Sequence, residues 1–432
     1  MLYKCMGDRM NLLLVSIFEG GYQPITISTA YQALADEDVV TDIEVLDIYV
    51  HGLDEAKLRE RDLIFISLPL FDAVMPGVEL LETIRHLSPT TKVCFYGQHA
   101  TIHASRLIEK GADFCILGDW ELPMKSLVNS LSSEERFSLP GIMNQGDLTE
   151  PMPFFSKKGF SVPNRKILPS LEKYPNKQLN KLLGKEVIVG STELARGCKH
   201  KCLYCSVYAA YDGRVIKIPT DIITEDVKNM VDDGMTHLTF IDADWFSTRN
   251  YGIEVLTELH RNHPELTFDI TTRVDHIIEN ESRMDLLRDL NVKIITSALE
   301  FPSENVLKIF NKQVTVSDTE QAIRIMKNSG ITLNPTFIMY NPWAGLSDME
   351  HFQKWIDGVN LREDIDPIQF ETRLSLYKGS PLLLSDDIKN VSLIEHDFYY
   401  DWAHSDPWVD ELYAASVTPA EEGVFKRCCL KC

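Results

Sequence analysis

The chain has 432 residues, a formal net charge of −21 at pH 7 and 44% hydrophobic residues, which allows two or three cored domains or one large α/β domain with an extension. An acidic balance of this size argues against a nucleic-acid partner, whose phosphates are usually met by a basic face that releases counterions. The apolar run "LLLVSIF" at 12–18 is too short to cross a bilayer and no basic leader precedes it, so a cytoplasmic protein with no membrane partner is expected.

Residues 1–133 alternate between short apolar runs and helix-compatible stretches. "NLLLVSIF", "IEVLDIYV", "LIFISLP", "KVCFYG" and "DFCILG" read as strands, with "ISTAYQALAD", "GVELLETIRHL" and "ATIHASRLIEKG" between them and "ELPMKSLVNSLS" closing the series. Strand and helix at this cadence predict a Rossmann-like, doubly wound parallel sheet with ligands at the carboxyl ends of its strands. Cys94 and Cys115 fall inside apolar strands and read as small core residues, while Cys5 carries no assignment. Residues 134–185 are rich in proline, glycine and charge and read as a linker. A second series follows over 186–385, with strands in "EVIVGSTELARG", "HLTFIDADW", "TFDITTRVD", "VKIITSALE", "TLNPTFIMY" and "PIQFETRLSLY". It predicts a full or partial (β/α) barrel whose chemistry sits at the strand C-termini. Residues 386–432 form an extension ending in "RCCLKC".

In a reducing compartment the nine cysteines are ligands, catalytic groups or buried thiols rather than a disulfide framework. "GCKHKCLYC" at 197–205 places Cys198, Cys202 and Cys205 as C-x3-C-x2-C just after the first strand of the second series. A closed zinc site would need a fourth ligand, and no second pair lies nearby in the sequence. Three thiolates instead suit a 4Fe-4S cluster with one iron left open. The spacing, the "RGC" before it and Tyr204 beside the last cysteine resemble the radical SAM superfamily, in which that iron chelates S-adenosylmethionine. "FIDADWF" (240–246), "TTRVD" (271–275), "SALEFPSENVLKIFNK" (297–312) and "LYKGSPL" (376–382) resemble its later strand-end segments. The resemblance implies that Tyr204, Asp242, Arg273 and Glu300 contact the nucleotide, the carboxylates through its ribose or ammonium and Arg273 through its carboxylate. The plainer readings are a helix cap for Asp242 or Asp244 and a structural ion pair for Arg273.

"FYGQHATIHASRLIEKGADFCILGDWELPMKSLV" (95–128) resembles the closing segment of cobalamin-binding domains attached to many radical SAM enzymes. The D-x-H-x-x-G signature is absent, and "DIYVHG" (47–52) keeps its residue types at altered spacing, so His51 is not favoured as a cobalt ligand. Cobalamin stays open but not favoured, and the preferred reading is a domain kept for architecture or substrate access.

In "RCCLKC", Cys428, Cys429 and Cys432 could hold a second cluster, zinc, a substrate or nothing. Trivalent arsenic suits them best, being soft and satisfied by three sulfurs, with Arg427 and Lys431 favouring the thiolates. A radical SAM chain with this tail resembles the ArsL-type enzymes of arsinothricin biosynthesis. The resemblance implies transfer of the 3-amino-3-carboxypropyl group of S-adenosylmethionine to arsenite, giving hydroxyarsinothricin, with electrons from an external donor. The alternatives are a cobalamin-dependent radical SAM methyltransferase and a thiol-rich arsenic- or metal-binding protein.

Overall fold

The computed structural model describes residues 9–133, 137, 139–147 and 149–417. Among them the chain up to Pro175, joined by Ile216–Gly234, builds one compact unit; Asn176–Val215 with the chain from Met235 onward builds the second.

The first unit is built on a six-stranded sheet comprising β1 (Met10–Ser16), β2 (Val40–Asp47), β3 (Leu63–Ser67), β4 (Lys92–Tyr96), β5 (Phe114–Ile116) and β6 (Ile142–Asn144). Its order is β2-β1-β3-β4-β5-β6; β1 to β5 are parallel and β6 pairs antiparallel to β5. β1, β3 and β4 are almost continuously apolar because helices cover both faces of a parallel sheet. Those helices are α1 (Ile25–Leu34), α2 (Val74–Leu87), α3 (Gln98–Glu109) and α4 (Glu121–Ser133). Leu12, Leu14, Ile27, Phe65, Cys94, Tyr96, Trp120 and Leu127 meet in one core, and Cys94 and Cys115 are wholly buried on β4 and β5. The order reverses between β1 and β3, the switch point where doubly wound sheets open a ligand crevice.

The proline-rich stretch after β6 is anchored. Arg165 donates to both Asp226 oxygens at 2.9 and 2.8 Å in a fully buried pair. Gln23 donates to the Pro169 carbonyl at 2.8 Å, and the Tyr174 hydroxyl donates to Asp47 at 2.5 Å. Asp226 lies on the helix Thr220–Asp232, which therefore groups with this unit although it follows the cysteine motif in sequence.

The second unit is built on a five-stranded sheet of β7 (Val189–Thr192), β8 (His237–Phe240), β9 (Thr267–Thr271), β10 (Val292–Glu300) and β11 (Thr332–Phe337). All neighbours are parallel, in the order β11-β10-β9-β8-β7. Among the described residues the sheet does not close, so the (β/α) architecture is a partial barrel. The β8–β9 seam is pinned by a buried polar cluster: His237 lies 2.7 Å from Thr267 and 2.9 Å from Asp269, and Thr239 donates to Asp269 at 2.6 Å. Helices Asn250–Asn262 and Val316–Ser329 fill the crossovers, the second opened by a Thr315–Asp318 capping box and closed at Gly330 in the left-handed conformation. A three-stranded antiparallel sheet and the helix Pro407–Ser416 follow. Among the described residues no helix is long and apolar enough to cross a membrane.

Candidate active site

The cysteine loop leaves the C-terminal end of β7 and is held from several sides. Asp242, just past β8, accepts the backbone N–H groups of Leu194 and Ala195, each at 2.9 Å, which ties the start of the loop to the neighbouring strand. Gly197 has φ of 88°, and a Cβ there would lie 2.2 Å from the Arg214 carbonyl oxygen, so only glycine fits before Cys198. Leu203 donates its N–H to Phe310 at 3.0 Å, while its carbonyl accepts Leu382 N–H at 2.9 Å and the Ser380 hydroxyl at 3.2 Å. Asn311 donates to the Lys201 carbonyl at 2.9 Å. The segments 297–312 and 376–382 thus clamp the loop.

Cys198 and Cys202 are 8% and 7% exposed and Cys205 is half-buried; all three are free thiols. Burial, reinforced by Asp244, pushes the Cys198 thiol up to about 11, and burial also raises Cys205. Thiols held in this way ionise when a bound cation supplies the compensating charge. The donor set suits an iron-sulfur cluster: three sulfurs on one immobilised loop, with an arginine N–H already directed at Cys202.

Arg273 donates to the Cys202 sulfur at 3.1 Å, to the Asp275 carboxylate at 2.8 and 3.1 Å and to the Lys312 carbonyl. Beside Cys198, Ser247 lies 3.8 Å from the sulfur and donates to Asp244 at 2.6 Å. Asp244 also accepts Thr272 at 2.8 Å and contacts His276 Nδ1 at 2.9 Å and His200 Nε2 at 3.4 Å. Burial would raise the Asp244 carboxyl, but these donors hold it well below the usual carboxylate range.

Glu300 ends β10 with φ of 63°, beside a register shift between Ala298 and Glu300. Its carboxylate accepts the Tyr204 hydroxyl and the Lys312 ammonium, which itself lies 3.3 Å from that hydroxyl. Both members of the Glu300–Lys312 pair are 3% exposed. The Tyr204 ring packs 4.6 Å from Phe310.

The structure therefore gathers Tyr204, Glu300, Arg273 and Asp242 around the cysteine loop, with both Asp242 oxygens engaged by backbone N–H groups and Arg273 engaged by Cys202. Sequence reasoning missed Lys312, Ser247, His200 and His276. His200 had a visible signal, lying inside "CKHKC" itself; Lys312 had none beyond ending the segment 297–312. His51 is exposed at the end of a four-residue helix. Cys5, Cys428, Cys429 and Cys432 lie outside the described residues. In the first unit a crevice of about 820 Å³ is lined by residues including Gln23, Arg165, Lys166, Asn229 and Asp232; its lining mixes amides with charges of both signs and holds no cysteine or histidine.

Residues 192–356 match the model of the radical SAM superfamily. Among curated proteins the chain is 23% identical over 320 residues to the hopanoid C-3 methylase of Methylococcus capsulatus, covering 72% of this chain and 59% of the methylase. It is 20% identical over 323 residues to the anaerobic magnesium-protoporphyrin IX monomethyl ester cyclase of Rubrivivax gelatinosus, covering 69% of this chain and 56% of the cyclase. The chain thus spans under two thirds of the length of these relatives. Among solved structures it is similar in fold to the cobalamin-dependent S-adenosylmethionine radical enzyme OxsB with aqua-cobalamin bound, at a TM-score of 0.74 and 15% identity over 94% of this chain and 66% of that one. It is likewise similar to the radical S-adenosylmethionine methyltransferase TsrM from Kitasatospora setae with tryptophan and a SAM analogue bound, at a TM-score of 0.71 and 15% identity over 96% of this chain and 92% of that one. Residues 192–356 thus match a radical SAM domain, and most of the chain is similar in fold to OxsB and TsrM.

Proposed function

We propose that the chain is a radical SAM enzyme that transfers the 3-amino-3-carboxypropyl group of S-adenosylmethionine to arsenite. The observation that carries the radical chemistry is the clamped loop of Cys198, Cys202 and Cys205, with Arg273 donating to one of its sulfurs. A reduced 4Fe-4S cluster, when bound there, supplies an electron to the sulfonium, and the orientation of that sulfonium decides which of its carbon bonds opens. Tyr204 and Lys312 hold the Glu300 carboxylate at the strand end, where it accepts donors from the nucleotide's ammonium or ribose. Asp242 fixes the backbone that starts the loop, and Arg273 fixes Cys202. The acceptor side of the reading rests on "RCCLKC", whose Cys428, Cys429 and Cys432 would hold arsenic as substrate through three sulfurs. Two electrons from an external donor balance the reaction: the first opens the sulfonium, and the second completes the arsenic–carbon bond as one arsenic ligand leaves.

A second reading, corrinoid-dependent methyl transfer, is favoured by the cobalamin-bound fold relatives. Nucleoside analysis of anaerobic reactions with and without arsenite separates the two. Aminocarboxypropyl transfer releases methylthioadenosine and needs arsenite for an arsenical product, whereas methyl transfer yields S-adenosylhomocysteine with deoxyadenosine and retains corrinoid through purification. A protein that only sequesters arsenic makes none of these nucleosides.

A further inference from the structure

The cysteines of the loop do not see the same surroundings. Cys198 faces Ser247 and, through it, the Asp244 carboxylate. Cys202 faces a guanidinium, with Arg273 Nη1 at 3.1 Å from its sulfur. That guanidinium is buried and secured on its other edges: Nε and Nη2 donate to Asp275 at 2.8 and 3.1 Å, and Nη2 also donates to the Lys312 carbonyl. The Arg273 backbone N–H takes no part in this and donates instead to Asp244 at 3.4 Å, so the backbone at the start of the helix Val274–Glu279 is tied to the Cys198 side while the side chain serves Cys202. An arginine held in this way has little freedom to swing towards a ligand carboxylate without abandoning Asp275 and Lys312.

Hydrogen bonds and positive charge at a cluster sulfur stabilise the reduced, more negative state and so raise its reduction potential. We infer that Arg273 sets the reduction potential of the cluster held by Cys198, Cys202 and Cys205 by donating to the Cys202 sulfur, and that it is not the residue that binds the carboxylate of the nucleotide. The inference rests on the reading of this loop as a cluster site. Asp275 is part of the device: its two oxygens orient the guanidinium, and its charge offsets the cation, so the directed N–H···S bond carries the effect. Burial would lower the arginine's pKa, but Asp275 and Cys202 more than reverse this, and the side chain stays charged.

The test compares the full-length wild type with Arg273→Gln and Arg273→Lys after anaerobic reconstitution, without S-adenosylmethionine. Iron and sulfide are counted first, and the cluster potential is then read by redox titration followed by EPR. The expected result is a full cluster with its potential shifted to more negative values in Arg273→Gln, and a smaller shift in Arg273→Lys, which can still donate an N–H towards the sulfur but loses the fork that Asp275 orients. A full cluster in Arg273→Gln at the wild-type potential overturns the inference, and loss of S-adenosylmethionine binding in that variant, read by a separate equilibrium titration with the nucleotide, overturns its claim about the carboxylate. A second measurement needs no stable variant. In wild-type protein carrying heavy-nitrogen-labelled arginine, pulsed EPR of the reduced cluster should show hyperfine coupling to an arginine nitrogen, and the lack of any such coupling overturns the inference. Failure of the wild type to assemble a tetranuclear cluster is a different result, and it overturns the reading of the loop itself.

Discussion

Glu300 shows how a single residue is held against its own preference. A glutamate at φ of 63° sits in the left-handed region that disfavours side chains other than glycine, and such strain persists only where its surroundings over-determine it. Here Lys312 and Tyr204 both converge on the carboxylate in a buried setting. Removing one partner of a buried pair leaves an uncompensated charge, so Lys312→Met should lower unfolding stability by about 3–5 kcal/mol. Tyr204→Phe should cost less, about 1.5–3 kcal/mol, the scale of one hydrogen bond to a charged group; denaturant titration of the two variants reads the contrast. Among the cysteines, Cys202→Ala should abolish cleavage of S-adenosylmethionine. Cys429→Ala should leave cleavage intact while arsenical product collapses, and normal product from that variant would remove the tail from the account. Lys312 was invisible in the sequence because its partner lies across a strand end and a helical turn, a relation that no local spacing encodes.

The cysteine loop works as an element because its backbone hydrogen bonds are distributed over Asp242, Phe310, Ser380 and Leu382. Gly197→Ala forces a Cβ into the Arg214 carbonyl at a positive φ, so the loop must move; reconstituted iron content should fall sharply even if the fold survives, and wild-type iron content in that variant would show that the loop is not so constrained. The strand-end segments were legible through their resemblance to those of the radical SAM superfamily, yet two of them, 297–312 and 376–382, also brace the loop. The helix α3 carries a different sensitivity. His99 and His103 stack with ring centroids 5.6 Å apart, and burial lowers both, His103 to about 4. Above pH about 6.5 neither the folded nor the unfolded chain protonates such a histidine; below it only the unfolded chain does, until the folded value is reached. Stability of the first unit should therefore fall as pH drops from about 6.5 towards about 4, and His103→Gln should flatten that fall in thermal melts across the range.

At the scale of the whole molecule, both βα series could be read from the sequence because buried parallel strands are nearly continuous apolar runs between helical stretches, except for the sixth strand expected in "PIQFETRLSLY": Pro367–Glu371 is a 3-10 helix and Leu376–Tyr377 pairs antiparallel in the three-stranded sheet. Which helices each sheet recruits could not. The periodicity of Thr220–Asp232 announces a buried face without saying against what, and the helix joins the first unit through Asp226 and the Arg165 guanidinium. The same pair explains why a stretch composed like a linker is packed up to Pro175: a buried bidentate ion pair fixes it where composition suggested freedom. Arg165→Met strands the Asp226 charge and should destabilise the protein by about 3–5 kcal/mol, with limited proteolysis cutting near 161–173; unchanged stability and no new cut would show that the pair is dispensable.

The central claim is an open iron on the Cys198, Cys202 and Cys205 loop, and anaerobic reconstitution followed by EPR with and without S-adenosylmethionine tests it most directly. The account predicts a tetranuclear cluster of roughly four irons, absent from Cys202→Ala, whose reduced signal changes when the nucleotide binds. A mononuclear zinc at that loop, or a cluster signal that S-adenosylmethionine leaves untouched, would contradict it.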